Sequence, residues 1–373
     1  MPSCLIIAGE KSGEEHALSF LPELMKLSPD TKFYGVGGDD MEKLGVELLY
    51  HLKNFSSMGF SEVIGKVPFY FKALKKLEKE VVARGTKTAI VIDFQDFNLR
   101  LAQRLSKRGV KVLYYVAPQA WVWKPGRAQK LKTAAHTLFT ILPFEKKWFG
   151  DRGVKQVKSI PHPLMLTYKN LLSDIPAKPF NSWEKKLKIL VLPGSRRFEV
   201  ELLLPEFIKT TEELRKTYNV EVHLVKVSHI PEAYYSLYKN KVDVVHESQD
   251  LVKAMKECHL ALAASGTVTL STGLFELPTI VAYRASLLNE FIFNNFIQYK
   301  GAVSLTNIVH GKNIFPELIQ VDANANRFLR VIRSWLEDEK TYNEMKRDLK
   351  ETKNLLAGDN FSVPEYMARV IHD

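Results

Sequence analysis

Cysteine is nearly absent: Cys4 and Cys258 are the only two among 373 residues. That excludes a disulfide framework, and the pair offers too few ligands for a zinc site, so both read as buried thiols. Long apolar runs are missing as well. Candidates such as Leu260–Ala264 are interrupted by polar residues far short of the roughly 20 positions needed to cross a bilayer. Met1–Ile7 has no basic leader and no small-residue cleavage site. It runs directly into a glycine turn, which reads as a first β-strand of a cytoplasmic protein. No internal repeat, low-complexity tract, spaced-glycine dinucleotide fingerprint or persuasive Asp-x-Asp metal motif is found.

What is present is ample material for two cores. The chain is 46% hydrophobic and 25% charged, and its length suits two domains better than one. The formal charge of +11 is unevenly spread: residues 1–170 carry 27 Lys and Arg against 16 Asp and Glu, whereas residues 171–373 carry 26 of each. The excess is concentrated between His51 and Gly150. A basic half suits phospholipid headgroups, a phosphorylated substrate or nucleic acid. No recognition-helix or aromatic-ribbon motif supports the last, and nucleic acid is set aside as a partner.

Apolar runs bounded by turn residues recur at Cys4–Ala8, Lys32–Val36, Ala89–Phe94, Lys111–Val116 and Thr137–Leu142. Amphipathic stretches such as Phe69–Glu80 and Phe97–Lys107 lie between them. After the proline-bearing stretch Leu172–Lys185 a second series follows, with strands at Lys188–Leu192, Glu221–Val227, Leu260–Ala264 and Thr279–Tyr283. Alternation of this kind predicts α/β architecture, two Rossmann-like doubly wound domains with ligands at the carboxyl ends of the strands in a cleft. The predicted boundaries are 1–171 and 172–345, then a C-terminal helix over 346–373 that packs back on the first domain. Ala323–His372 reads as helices only.

The chemistry is expected at strand ends. Ala8-Gly9-Glu10-Lys11-Ser12-Gly13 is a glycine turn opening a helix, suited to an anionic or sugar ligand, although a tight turn with no ligand fits equally well. Asp93 ends the strand Ala89–Ile92 and is placed to take a proton from an attacking hydroxyl. Asp96 is assigned to capping the next helix. Pro193-Gly194-Ser195-Arg196 and Ser265-Gly266-Thr267 are two further small-residue turns. Together they let a diphosphate approach helix N–H groups, with Arg196 to neutralise leaving-group charge. Tight turns beside a surface arginine remain the plainer alternative. The aromatic-dense run Tyr114–Trp123 could wall a sugar but is more commonly core, and His162 in Pro161-His162-Pro163 suits a structural role.

In order, the chain shows Ala8-Gly9-Glu10…Ser12-Gly13, Gly35-Val36-Gly37-Gly38, Met58-Gly59-Phe60…Glu62-Val63 and Asp93…Asp96-Phe97-Asn98. Tyr114–Trp123, Leu142–Glu145, His162-Pro163-Leu164, Leu192–Arg196, Ser265-Gly266-Thr267, Tyr283-Arg284, Asn307 and Pro316-Glu317-Leu318…Gln320 follow. This series resembles the lipid-A-disaccharide synthase family from near the first residue to about Gln320. The resemblance implies a GT-B fold and an inverting, metal-independent transfer without a cofactor. The donor would be UDP-2,3-diacylglucosamine, the acceptor 2,3-diacylglucosamine 1-phosphate, and the product a β-1,6-linked disaccharide. It assigns Asp93 as base and Arg196 to the UDP diphosphate. It places Gly9, Glu10, Ser12, Gly13, Gly194, Ser195, Ser265, Gly266, Thr267, Asn307, Glu317 and Gln320 around the substrates. Departures from the family pattern are Ser271 where glutamate is usual, Glu14 for aspartate, Pro161 for glycine and Thr306 for proline. A related GT-B transferase using another UDP-sugar or lipid acceptor, and a non-catalytic glycolipid-binding homologue, remain alternatives.

Lys66–Leu77 mixes aromatics and lysines at helical spacing. With acylated substrates implied, this predicts peripheral docking on the anionic inner-membrane surface of a Gram-negative bacterium, lysines to phosphate and aromatics to the acyl boundary. An ordinary amphipathic helix packed on the sheet is the alternative. Phe291–Phe293 and Phe296–Ile297 suit either an acyl-chain path or core.

Overall fold

The computed structural model describes residues 2–55, 67–284 and 301–373. The motif Met58–Val63, Lys66 and the apolar stretch Phe291–Ile297 lie outside the described residues. The chain forms two compact units, Met1–Leu166 with Ala357–Asp373, and Thr167–Leu356.

Unit 1 is a parallel sheet with the order β3-β2-β1-β4-β5-β6-β7 among the described residues. Its strands are β1 Ser3–Ala8, β2 Lys32–Gly37, β3 Glu47–His51, β4 Thr88–Ile92, β5 Lys111–Tyr115, β6 Thr137–Thr140 and β7 Val157–Ser159. The central strands are apolar throughout because both faces are covered. On β1, Leu5 and Ile7 enter one core while Cys4, Ile6 and Ala8 enter the other. Helices Val67–Ala83 and Gln95–Ser106 close the first face with Leu74, Leu77, Leu101 and Leu105. Helices Leu21–Leu27 and Val363–His372 close the second. There the Tyr366 hydroxyl lies 2.8 Å from the Thr137 hydroxyl, so the C-terminal helix is tied to β6, next to the edge of the sheet.

Unit 2 repeats this plan with the order β10-β9-β8-β11-β12-β13, again parallel. The strands are β8 Leu187–Leu192, β9 Val220–Lys226, β10 Val244–Glu247, β11 Leu260–Ala264, β12 Thr279–Tyr283 and β13 Glu317–Ile319. In each unit the direction of winding reverses once, between β1 and β4 and between β8 and β11. A crevice opens at the carboxyl ends of the strands at such a reversal. Ala8-Gly9 and Asp93 stand at the first crevice, Pro193–Arg196 and Ser265–Thr267 at the second.

Candidate active site

In unit 1, Asp93 and Phe94 follow β4 with φ of 46° and 45°, two consecutive non-glycine residues in the left-handed region. Such a conformation costs about 1–3 kcal/mol per residue and persists only where its surroundings dictate it. Asn98 does so: its amide donates to the carbonyls of Ile92 at 3.0 Å and Asp93 at 2.8 Å, pinning the turn from beneath. Gly9 allows the turn to close, because a Cβ there would lie 2.8 Å from the Phe94 ring. The Asp93 carboxyl is held above its ordinary range by burial, opposed by the charge of His16 and the Phe94 N–H. Glu10 is raised by burial and then by the Asp93 charge. Burial lowers His16, and burial followed by the His16 charge brings His162 down to about 4. His162 is neutral and accepts the Leu164 N–H at 3.2 Å, a structural task.

A cavity of about 650 Å³ opens beside Asp93 and Glu10. Its lining also holds the apolar side chains of Val67, Tyr70, Phe71, Leu74, Phe94 and Phe97 and the polar ones of Gln95, Asp96, Arg100 and Arg127. Three of these side chains pack on Phe55, which is fully buried and ringed by Tyr50, Phe69, Tyr70, Phe94 and Phe97 at centroid distances of 5.2–6.0 Å. Two expectations are corrected here. Asp96 does not cap helix Gln95–Ser106, whose cap residue is Phe94. Its carboxylate instead meets Arg127 at 2.7 Å and Lys124 at 3.6 Å. Burial works against the Asp96 charge, but these two cations hold its carboxyl below the ordinary range. Phe69 does not face outward: it packs edge-on against Phe55 and Tyr50, leaving Phe71 and Val67 exposed among Lys72, Lys75 and Lys76.

Gly13 is buried and Ser12 is exposed in the first turn of helix Lys11–Leu18. Glu14 is buried, and one carboxylate oxygen accepts the N–H groups of Asp40 at 3.2 Å and Met41 at 3.1 Å, anchoring helix Asp39–Lys43.

In unit 2 a cavity of about 300 Å³ is lined by Gly194, Ser195, Ser265, Gly266 and Thr267, with Val225, Ser248 and Leu251 on another side. Gly194 has φ 119°, and a Cβ there would collide with Glu199 at 2.4 Å. Glu199 overturns the expectation of free amides at this turn. From the first turn of helix Arg197–Leu214, its carboxylate accepts the Ser195 N–H at 2.9 Å and the Arg196 N–H at 3.2 Å. The Arg196 guanidinium reaches Glu199 at 3.4 Å with 69% of its side chain exposed. The second turn differs. Gly266 precedes helix Thr267–Leu274 with no side-chain cap, and the space beside its Cα is open.

The remaining sequence candidates stand away from this cavity. Asn307 is buried with all four hydrogen-bonding positions used: it donates to Phe315 O and Glu317 Oε1 and accepts from the Ile314 and Phe315 N–H groups. Glu317 also accepts from the Val303 and Ser304 N–H groups, so the pair fixes the chain entering β13. Gln320 has φ 53°, and its carbonyl accepts from Arg284. Ser271 is buried and hydrogen-bonded to the Tyr168 hydroxyl at 3.2 Å. Asn98 and Glu199 were missed as site-building residues, because their partners are backbone groups that a side-chain motif does not announce.

The described residues contain no helix long and apolar enough to cross a membrane. Among solved structures, similarity extends to UDP-GlcNAc 2-epimerase from Neisseria meningitidis bound to UDP-GlcNAc (TM-score 0.53, 11% identity, 95% of this chain and 97% of that one). It extends also to MurG from Acinetobacter baumannii (TM-score 0.55, 11% identity, 99% and 98%). These likenesses establish the GT-B class of fold. Closer in sequence are the lipid-A-disaccharide synthases of Anaeromyxobacter sp. strain K, 33% identical over 344 residues with 90% of this chain and 88% of the relative covered, and of Nitrosococcus oceani, 30% identical over 374 residues with 98% and 95% covered. The family model described as lipid-A-disaccharide synthetase matches residues 4–370. With the fold and these matches spanning nearly the whole chain, the protein belongs to the lipid-A-disaccharide synthetase family and is a glycosyltransferase.

Proposed function

We propose that the chain transfers 2,3-diacylglucosamine from UDP to the 6-hydroxyl of 2,3-diacylglucosamine 1-phosphate, forming the β-1,6-linked lipid A disaccharide 1-phosphate. The observation that carries the reading is the unit 1 cavity, whose lining combines Asp93 and Glu10 with the side chains of Val67, Tyr70, Phe71, Leu74, Phe94 and Phe97. A carboxylate sharing a cavity with apolar side chains suits an acceptor with one reactive hydroxyl beside acyl chains. Asp93, held above its ordinary range by burial, takes the hydroxyl proton as the oxygen attacks the anomeric carbon of the donor. The bond to the diphosphate breaks, the configuration inverts and UDP leaves. Arg196 and the uncapped N–H groups of helix Thr267–Leu274 meet the departing negative charge. Gly9, Ser12 and Gly13 serve the acceptor side, and Gly194, Ser195, Ser265 and Gly266 the nucleotide side. Asn307, Glu317 and Gln320 act by holding the chain around β13.

The substrates' acyl chains, the charge of residues 1–170 and exposed Phe71 with Lys72 and Lys75 support a cytoplasmic enzyme resting on the anionic face of the inner membrane. The test is incubation with both acylated glucosamine substrates, read by mass analysis. Disaccharide 1-phosphate with equimolar UDP is expected. Turnover only with a different UDP-sugar or lipid acceptor would replace this reading by the related-transferase alternative, and binding of both substrates without turnover by the glycolipid-binding one.

A further inference from the structure

Unit 2 contains a cluster that the transfer reaction does not use. His223 on β9 and His246 on the edge strand β10 project from the same face, since Val244 pairs with His223 and His246 with Val225. Both rings are buried, stacked at 19°, with His223 Nδ1 only 2.9 Å from His246 Nε2. The other nitrogen of His223, Nε2, lies 2.9 Å from Glu221 Oε1. A carboxylate only accepts, so His223 Nε2–H donates to Glu221 and Nδ1 is left as a bare lone pair. Lys186 at 2.7 Å and Lys188 at 3.4 Å flank Glu221. The third member is Glu257, at the end of helix Leu251–Glu257, which packs against β9 and β10. One ligand atom each from His223, His246 and Glu257 lies within 4.8 Å of the others.

We infer that His223, His246 and Glu257 form a binding site for a zinc-class divalent cation (Zn²⁺, Co²⁺ or Ni²⁺), with Glu221 as the residue that orients His223. Two imidazoles and one carboxylate are a donor set of borderline metals, whereas Mg²⁺ and Ca²⁺ prefer oxygen alone. A carboxylate gripping the far nitrogen of a ligand histidine fixes its tautomer and ring plane, as metal sites commonly require. On binding, His246 moves its Nε2 proton to Nδ1, and the Nδ1–Nε2 separation widens from 2.9 Å toward about 3.3 Å, the span set by tetrahedral metal–nitrogen bonds of about 2.0–2.1 Å.

The ion would join the hydrogen-bonded strand pair β9 and β10 to the helix Leu251–Glu257 packed on it. Val225, Ser248 and Leu251, carried by these same elements or the link between them, line the cavity beside Gly194 and Gly266. The metal is thus a staple behind one wall of that cavity, outside the reaction itself.

The full-length chain, free of any histidine tag and stripped with chelator, is titrated with Co²⁺ by visible absorption and with Zn²⁺ against a chromophoric chelator. One equivalent is expected, with zinc affinity micromolar or tighter and a melting temperature raised by about 5 °C at zinc a hundredfold above Kd. His246→Gln and Glu257→Gln should each weaken zinc binding at least a hundredfold, and Glu221→Gln by about 10–100-fold. Glu257 is half-buried at a helix end, so its variant keeps the test open if a histidine variant fails to fold. The absence of stoichiometric binding, or equal affinity in wild type and the Glu257→Gln and His246→Gln variants, overturns the site.

Discussion

Replacing Glu145 with glutamine should change how the stability of unit 1 depends on pH. The Glu145 carboxyl is buried after β6: Oε1 accepts from Trp121 Nε1 at 3.0 Å, and Oε2 accepts the N–H groups of Ile141 at 3.2 Å and Leu142 at 3.1 Å. Burial raises it from 4.5 to about 7 despite these three donors. Between those values the native state keeps a proton that the unfolded chain has released, so stability falls as pH rises through this window and is level above it. A rise of that size corresponds to about 3 kcal/mol. Glutamine cannot titrate, and its single oxygen can serve Trp121 or the backbone pair but not both. That adds a pH-independent cost of about 1–3 kcal/mol. Wild type should therefore be the more stable near pH 4, and the gap should close or reverse near pH 8. Hydrogen exchange of peptides spanning 137–150, compared between the two proteins at each pH, reads this locally and avoids treating two units as one transition. A gap that stays constant from pH 4 to 8 would refute the reasoning.

Asp93→Asn should keep the fold and UDP binding while lowering turnover by on the order of 10²–10⁴-fold, and the wild-type rate should climb as pH rises through the raised Asp93 titration. Retention of more than about half the rate would remove Asp93 as base. Arg196→Ala should weaken UDP binding in calorimetry and Arg196→Lys should restore only part of it, because lysine lacks the bidentate fork; unchanged affinity would move the diphosphate elsewhere. Asn98→Ala should cost about 1–3 kcal/mol by stranding the buried Ile92 carbonyl and the half-buried Asp93 carbonyl, and should lower activity even in the folded fraction because the Asp93 turn relaxes. Lys72→Glu combined with Lys75→Glu should release the protein from anionic vesicles while sparing turnover on detergent-dispersed substrate, because neither lysine lines the Asp93 cavity; equal vesicle binding would leave the helix an ordinary part of the sheet packing.

The strands that are buried on both faces were legible as largely apolar runs: β1, β2, β4, β5, β6, β8, β11 and β12, and β9 despite its Glu221 and His223. The edge strands were not. β3, β7, β10 and β13 hold three to five residues of mixed polarity and pair on one side only, so no periodicity marks them. Asp93 was visible because a carboxylate at the end of a buried strand stands out. The partner of Asp96 was not, since Arg127 lies 31 positions away and is brought near only by the fold. The same holds for His223 and His246, which meet across two strands. Capping by Glu199 is local, yet it competes with a ligand for the same amides, and sequence alone does not rank the two.

Unit 1 is discontinuous, and that has a consequence for how the protein is made. Residues 1–166 leave the ribosome first, but the sheet face holding Cys4, Ile6 and Ala8 also needs Tyr366, Met367 and Val370. The whole of Thr167–Leu356 is synthesised in between, a delay of roughly 10–40 s at ordinary elongation rates. Unit 2 can complete its own core during that wait, so the second unit finishes folding before the first. The apolar face of unit 1 stays open to solvent and to chaperones until the last helix arrives. A chain cut short before Val363 would carry a complete second unit beside an unsealed first one, and its fate would be decided by proteolysis of that face.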